Sequence, residues 1–137
     1  MTAALSDRAQ AFLKEFHFAV LSTINKDGTP QLTTMWYLLD DDGRIVMNTQ
    51  VHLQKAQNLR RDPRFAVCIQ DGPRSVSING TVEIIEDQEI IRRDLRRLIE
   101  RYQQDEETRQ KYMALFTQQH RIALRLQCEK VHESFAE

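Results

Sequence analysis

The residues best suited to chemistry lie between Ile45 and Arg64, in the stretch IVMNTQVHLQKAQNLRRDPR. An apolar, strand-like run is followed there by a polar turn and a short basic helix, with Lys55 near the helix start. Asp62-Pro63 ends the helix, because proline clashes with the preceding helical turn. An anion at this junction would meet a lysine and the free backbone N–H groups of a helix N-terminus. The stretch therefore predicts a phosphate-binding site at Lys55.

A second polar and aromatic stretch runs from Gln31 to Tyr37. Thr33 and Thr34 can donate hydroxyl hydrogen bonds, and Trp36 or Tyr37 can flank a planar ring. Ordinary strand packing explains these residue types about as well. We expect this strand to form the floor of a cleft whose middle suits an aromatic ring and whose Lys55 end accepts an anion.

The sequence lacks the motifs of nucleophilic, metal-dependent and nucleotide-binding enzymes, such as G-x-S-x-G, H-E-x-x-H and a Walker loop. Cys68 and Cys128 lie in separate apolar runs and form no C-x-x-C pair. We interpret both as buried, reduced thiols rather than as metal ligands or a redox pair. Catalysis by the protein's own side chains is therefore weakly indicated.

The charge balance argues against nucleic-acid and membrane partners. The chain has 19 basic and 20 acidic residues, a formal net charge of −1, and acidic residues interleave with the arginines of the stretch 86–100. No apolar run approaches the roughly 20 residues that cross a bilayer, and the N-terminus does not read as a signal peptide. We expect a cytoplasmic protein that binds a small molecule.

The elements that position these residues follow from periodicity and chain breaks. Ser6 is expected to cap an N-terminal helix and Asp87 a long amphipathic helix reaching Tyr102, and a further helical stretch covers 109–119. A short helix is expected at 53–61. Strand-like runs are predicted at 18–24, 31–39, 44–49, 64–70, 75–85 and 121–131.

Two strands carry more specific expectations. Gly80 interrupts the fifth run as a bulge or a close-contact site would. The last run is expected to bury one face, with Arg121 and Arg125 on the opposite face. Six strand runs in 137 residues favour one domain, spanning 1–137, that is mainly β (α+β): a closed or nearly closed antiparallel barrel with flanking helices.

The segment FAVLSTINKDGTPQLTTMWYLLDDDGRIVMNT, followed by KAQNLRRDPRFAVCI, resembles the FMN-binding split-barrel superfamily of pyridoxamine 5′-phosphate oxidase-like proteins. It is especially similar to the subgroup that binds the deazaflavin coenzyme F-420. The resemblance covers Phe18 to Glu86 well and the last strand more loosely. Its most specific part is K-x-x-N-L-x-R-D-P-R, from Lys55 to Arg64.

The resemblance implies a six-stranded antiparallel split β-barrel that forms a homodimer, with cofactor sites at the subunit interface. FMN or coenzyme F-420 would carry the hydride, and the protein would supply orientation and electrostatics. On matching positions, the flavin-type ring would be lined by Thr33, Thr34, Met35 and Trp36. The phosphate-bearing tail would be held by Asn48, Thr49, Gln50, Lys55 and Asn58.

This chain departs from many relatives in the turn before the lysine, where Val51 and Gln54 replace arginines. The phosphate would then depend chiefly on Lys55 and backbone amides, with Arg60, Arg61 and Arg64 as candidate supporting cations. The leading functional hypothesis is an FMN- or F-420-dependent oxidoreductase acting on a small organic substrate. The alternative is a protein of the same fold that binds or sequesters a flavin, a deazaflavin or haem without turnover.

Overall fold

The computed structural model describes residues 4–135, which form four helices and seven strands. The helices are α1 (Asp7–Lys14), α2 (Gln54–Arg61), α3 (Gln88–Tyr102) and α4 (Glu106–Thr117). The strands are β1 (Ala19–Ile24), β2 (Pro30–Met35), β3 (Leu38–Leu39), β4 (Ile45–Gln50), β5 (Arg64–Asp71), β6 (Arg74–Ile85) and β7 (Arg121–Phe135). Among these residues, no helix is both long enough and apolar enough to cross a bilayer.

All seven strands belong to one antiparallel sheet, in the order β2-β1-β5-β6-β7-β4-β3. Because β2 and β3 are consecutive in the chain but lie at opposite ends of this order, the sheet curls into a split barrel. The predicted split barrel is confirmed, and the predicted count of six strands is corrected to seven. The run 31–39, expected as one strand, is two strands separated by Trp36 and Tyr37.

The break between β2 and β3 has a clear cause in the contacts of Tyr102, the last residue of α3. The Tyr102 hydroxyl accepts a hydrogen bond from the Tyr37 backbone N–H at 3.2 Å and donates one to the His17 carbonyl. The Tyr37 side chain is buried, and its hydroxyl donates to the Leu13 carbonyl at 2.7 Å. Burial raises the pKa of Tyr37, so the phenol stays protonated as this bond requires. The backbone therefore bonds to side chains at the break.

Helix starts agree with the predicted caps. The Ser6 side chain accepts from the Ala9 N–H at 3.0 Å, and Asp87 accepts from the N–H groups of Glu89 and Ile90. Helix α4 begins earlier than the predicted residue 109, because the Asp105 side chain caps it.

Gly80 is confirmed as both a bulge and a close-contact site. The register of β6 against β7 shifts between Asn79 and Gly80. A Cβ atom at Gly80 would lie 1.8 Å from the backbone oxygen of Gln127, far inside any tolerable contact. Glycine is therefore required for the two strands to approach each other here.

The expectation that β7 buries only one face is wrong for its first half. Helix α3 covers the outer face, where Ala123 and Arg125 are as buried as their neighbours on the inner face. Asp94 of α3 is fully buried and forms two hydrogen bonds with the Arg125 guanidinium, at 2.6 and 3.1 Å. Alternation alone could not show this, because it does not say which helix covers which face.

The two cysteines have different environments. Cys128 is buried as predicted, and its burial raises the pKa of its thiol to about 11. The prediction for Cys68 is wrong, since its side chain is exposed. Strand β5 buries Phe65, Val67 and Ile69, which places Cys68 on the outer face.

We predict that Tyr102→Phe lowers the free energy of unfolding by about 1–3 kcal/mol, because the buried Tyr37 N–H loses its acceptor. Urea unfolding followed by circular dichroism measures this change. Tyr112→Phe is the matched control, since its hydroxyl forms no hydrogen bond within residues 4–135. The control should change stability by less than about 0.5 kcal/mol. Equal stability of the two variants would show that the Tyr102 hydroxyl does not hold the break.

Candidate functional site

A pocket of about 260 Å³ lies at one end of the barrel, between the ends of β2 and β4 and the helix pair α3–α4. The start of α2 and the start of β7 complete its wall. It brings together seven of the nine residues predicted to contact a cofactor: Thr34, Met35, Trp36, Asn48, Thr49, Gln50 and Lys55. The other lining residues are Leu53, Leu95, Leu98, Tyr112, Phe116, Gln119 and Arg121.

Lys55 lies in the first turn of α2, as predicted. The N-cap residue Leu53 offers no side-chain cap, so the first-turn N–H groups are not capped by a side chain. The Lys55 side chain is half-buried, and its pKa is lowered by burial and then by the nearby charge of Arg121. Two cations thus face one corner of the pocket, which we call the cationic corner (Lys55 and Arg121).

Arg121 is the functional candidate that sequence reasoning did not find. Its Nε donates to Asn48 Oδ1 at 2.8 Å, and its Nη1 donates to Gln119 Oε1 at 2.6 Å. Its guanidinium carbon lies 4.4 Å from the centroid of the Phe116 ring. Burial lowers the pKa of Arg121 to about 10, so the guanidinium remains charged at neutral pH. The lining contains no carboxylate among the described residues.

Two buried polar atoms of the lining have no hydrogen-bond partner in the described structure. They are the side-chain amide nitrogen Nδ2 of Asn48 and the hydroxyl Oγ1 of Thr49. Asn48 is 6 % exposed and Thr49 is 1 % exposed. A buried polar group without a partner costs roughly 1–3 kcal/mol. Asn48 shares a face of the sheet with Arg121, whereas Thr49 lies opposite Ile122 of the core, so Asn48 is the one suited to pairing with a ligand.

Aromatic side chains form the middle of the pocket. The Trp36 ring stacks on Tyr102 with centroids 5.1 Å apart and an interplanar angle of 6°. From α4, Tyr112 and Phe116 meet Trp36 edge-on, at 5.5 and 6.3 Å. Trp36 is therefore held between two helices with its position fixed, while its side chain still lines the pocket.

Two predicted site residues lie outside the pocket lining. Thr33 is half-buried on β2. Asn58 is fully buried and its amide donates to Thr23 Oγ1 at 3.1 Å and to Asn25 Oδ1 at 2.9 Å. Asn58 thus ties α2 to β1, a structural task that the motif did not reveal.

The arginines that the sequence offered in support of Lys55 are occupied elsewhere. Arg60 pairs with Glu86, Arg64 pairs with Asp62, and Arg61 donates to the Ile24 carbonyl. None of the three lines the pocket. Arg121 takes their place because β7 pairs with β4, which sets Arg121 opposite Gln50. That pairing joins residues about 70 positions apart and leaves no local signal in the sequence.

The fold agrees with a comparison to known proteins. The family model described as pyridoxamine 5′-phosphate oxidase matches residues 5–134. The chain belongs to the pyridoxamine 5′-phosphate oxidase family.

The chain is also similar to individual members of this fold. Over 102 residues, 74% of each chain, the protein is 32% identical to an F-420H(2)-dependent biliverdin reductase of Mycobacterium tuberculosis. A crystal structure of a conserved hypothetical protein from Mycobacterium tuberculosis has a TM-score of 0.82 at 31% identity, covering 97% of this chain and 86% of that one. An F-420 reductase structure has a TM-score of 0.73 at 20% identity, covering 93% and 98%, and shows the shared fold.

We predict that Thr49→Val raises the free energy of unfolding of the ligand-free protein by about 1 kcal/mol, because it removes a buried, unpartnered hydroxyl. Thr23→Val is the matched control. The Thr23 hydroxyl is equally buried but accepts from Asn58, so its loss should cost about 1–2 kcal/mol. Urea unfolding compares the two. If both variants are destabilised equally, the Thr49 hydroxyl is not an unpaired group.

Proposed function

We propose that this protein is an oxidoreductase that uses reduced coenzyme F-420 or FMN to transfer a hydride to a small, planar organic substrate. The observation that carries the proposal is the cationic corner, because two half-buried cations without a carboxylate in the lining suit an anionic ligand tail. The aromatic wall at Trp36 lies in the same pocket and suits a planar ring.

The chain's own residues fit such a cofactor. Lys55 and the first-turn N–H groups of α2 would bind the phosphate of the tail. Asn48 Nδ2 would hydrogen-bond to the phosphate-bearing tail, which removes the cost of leaving it unpaired. Thr34, Met35 and Trp36 would contact and orient the ring. The cofactor supplies the hydride, and the protein supplies position, charge and exclusion of water.

The relatives support catalysis over storage. The relative at 32% identity is an F-420H(2)-dependent reductase, which favours an oxidoreductase and, of the two cofactors, favours F-420 over FMN. The alternative of a protein that binds a flavin, a deazaflavin or haem without turnover is not favoured by this comparison.

We further propose that the working form is a homodimer. A pocket of about 260 Å³ is below the roughly 300–1,000 Å³ of typical ligand sites, so one subunit covers only part of a flavin-sized molecule. Next to Thr34, the outer face of β1 and β2 exposes Val20 (41 %) and Leu32 (68 %). A second copy covering these apolar residues would complete the wall.

Binding of both cofactors to the purified protein tests the proposed function. Trp36 is the only tryptophan of the chain and lies in the pocket, so its fluorescence reports binding directly. We expect quenching by F-420 or FMN that saturates at micromolar concentration. Absence of quenching and of binding by equilibrium dialysis at about 100 μM, well above the micromolar dissociation constant that we expect, would reject the proposal.

We predict that Lys55→Ala weakens cofactor binding by about 1.5–3 kcal/mol, the usual contribution of a hydrogen bond to a charged group, and leaves the fold intact. Fluorescence titration gives the affinity, and circular dichroism checks the fold. Lys26→Ala is the control, because Lys26 is exposed in the β1–β2 turn, away from the pocket lining. Equal affinity of the Lys55 and Lys26 variants would reject the phosphate role of Lys55.

A further inference from the structure

We propose that Arg121 is a second anion-binding group of the pocket, and that it also turns the Asn48 side chain so that its amide nitrogen donates to the ligand. The inference rests on the proposed function and adds to it a residue from the last strand. It also defines the ligand class: a tail that carries two negative charges, such as a phosphate monoester, rather than a neutral tail.

Two arginines of β7, Arg121 and Arg125, occupy equivalent positions but have different partners. Arg121 and Arg125 are four residues apart on the same face of the strand. Arg125 is fully engaged, because both of its terminal nitrogens bond to the buried carboxylate of Asp94. Arg121 bonds only to amide oxygens, those of Asn48 and Gln119, which leave its positive charge uncompensated. The strand thus carries one structural arginine and one whose charge is available.

Three neighbouring side chains hold the Arg121 guanidinium in place. The Asn48 and Gln119 oxygens bond to Nε and Nη1, and the Phe116 ring packs against the guanidinium. The second terminal nitrogen, Nη2, has no hydrogen-bond partner within residues 4–135. A guanidinium that is fixed at Nε and Nη1 and unpaired at Nη2 is preorganised for an anion, since little side-chain entropy remains to be lost on binding.

The hydrogen bond from Arg121 also fixes the orientation of the Asn48 side-chain amide. Asn48 lies opposite Ala123, and Arg121 precedes Ala123 by two residues, so the two side chains share a face of adjacent strands. Because Arg121 can only donate, it requires the Asn48 oxygen as its acceptor. The Asn48 amide nitrogen is then left buried and unpaired in the pocket lining. Arg121 therefore determines that Asn48 presents a donor to the ligand.

Together these groups give the corner two cations, Lys55 and Arg121, and one fixed donor, Asn48 Nδ2. Burial lowers the pKa of Lys55 and the charge of Arg121 lowers it further, so the two cations repel each other in the free protein. An anion placed between them would relieve this repulsion, and a doubly charged anion would balance both cations.

The test compares FMN, riboflavin and inorganic pyrophosphate as ligands, each titrated against the fluorescence of Trp36 and by calorimetry. Riboflavin carries the same ring as FMN without the phosphate. We expect Arg121→Gln to weaken FMN and pyrophosphate binding about tenfold or more, the effect of losing a charged hydrogen bond, and to change riboflavin binding by less than about twofold. Arg96→Gln, an exposed arginine of α3 outside this pocket, is the matched control.

Two further variants separate charge from shape. Arg121→Lys keeps the charge, so it should bind FMN more tightly than Arg121→Gln. Asn48→Asp places a carboxylate beside the guanidinium, so it should weaken FMN binding while riboflavin binding changes less. Thermal unfolding of each variant shows whether it is folded at the titration temperature.

Failure of the Arg121 anion site can be distinguished from failure of the proposed cofactor binding. The inference is overturned if Arg121→Gln binds FMN and pyrophosphate like the wild type, or if it loses riboflavin as strongly as FMN. If the wild type binds neither FMN nor F-420, the cofactor proposal fails. Pyrophosphate binding that depends on Arg121 would in that case still support the anion site, and its absence would overturn it.

Discussion

Closure of the barrel at Trp36 and Tyr37 positions both helix α3 and the wall of the pocket. Strands β2 and β3 lie at opposite ends of the sheet, so the chain between them cannot belong to either strand. Its backbone N–H at Tyr37 donates to a side chain, the Tyr102 hydroxyl, instead of to a neighbouring strand. The Tyr102 hydroxyl accepts this bond from the end of α3, which ties the helix to the closure point. The same break turns Trp36 out of the strand pattern and against Tyr102, where it forms the aromatic wall of the pocket. Closure, helix docking and pocket wall are thus one arrangement.

The buried charged groups of the described residues are of two kinds, those paired with an opposite charge and those without such a partner. Asp94 and Arg125 are buried together and hold α3 on β7, an arrangement in which loss of one partner leaves a buried charge unpaired. Lys55 and Arg121 are the opposite case, since burial lowers the pKa of both and no carboxylate of the described lining compensates them. Leaving the Asn48 amide nitrogen and the Thr49 hydroxyl buried without a partner also costs free energy of folding. Folding alone does not account for these groups, whereas the proposed binding of an anionic, polar ligand would.

Much of this could be predicted from local sequence. The cap at Ser6, the stop at Asp62-Pro63 and the bulge at Gly80 are encoded within a few residues, and the strand runs lie close to the observed strands. Lys55 was found because a strand, a turn and a helix start are adjacent in the chain, whereas Asn48, Thr49 and Gln50 came from the family resemblance. Arg121 and the burial of Arg125 were not found, because they depend on which strand pairs with β7 and which helix covers it. Cys68 was misassigned for a related reason, since an apolar run does not tell which of its faces is covered.

We propose that the corner formed by Lys55 and Arg121 binds the anionic tail of a redox cofactor whose ring lies against Trp36. A crystal structure of the protein with coenzyme F-420 or FMN would show where the cofactor binds. We expect phosphate oxygens within about 3.2 Å of Lys55 Nζ and of the Arg121 guanidinium, the distance limit of such hydrogen bonds, with Asn48 Nδ2 bonded to the cofactor. A cofactor bound elsewhere on the barrel, or with its phosphate in solvent away from both cations, would contradict this proposal.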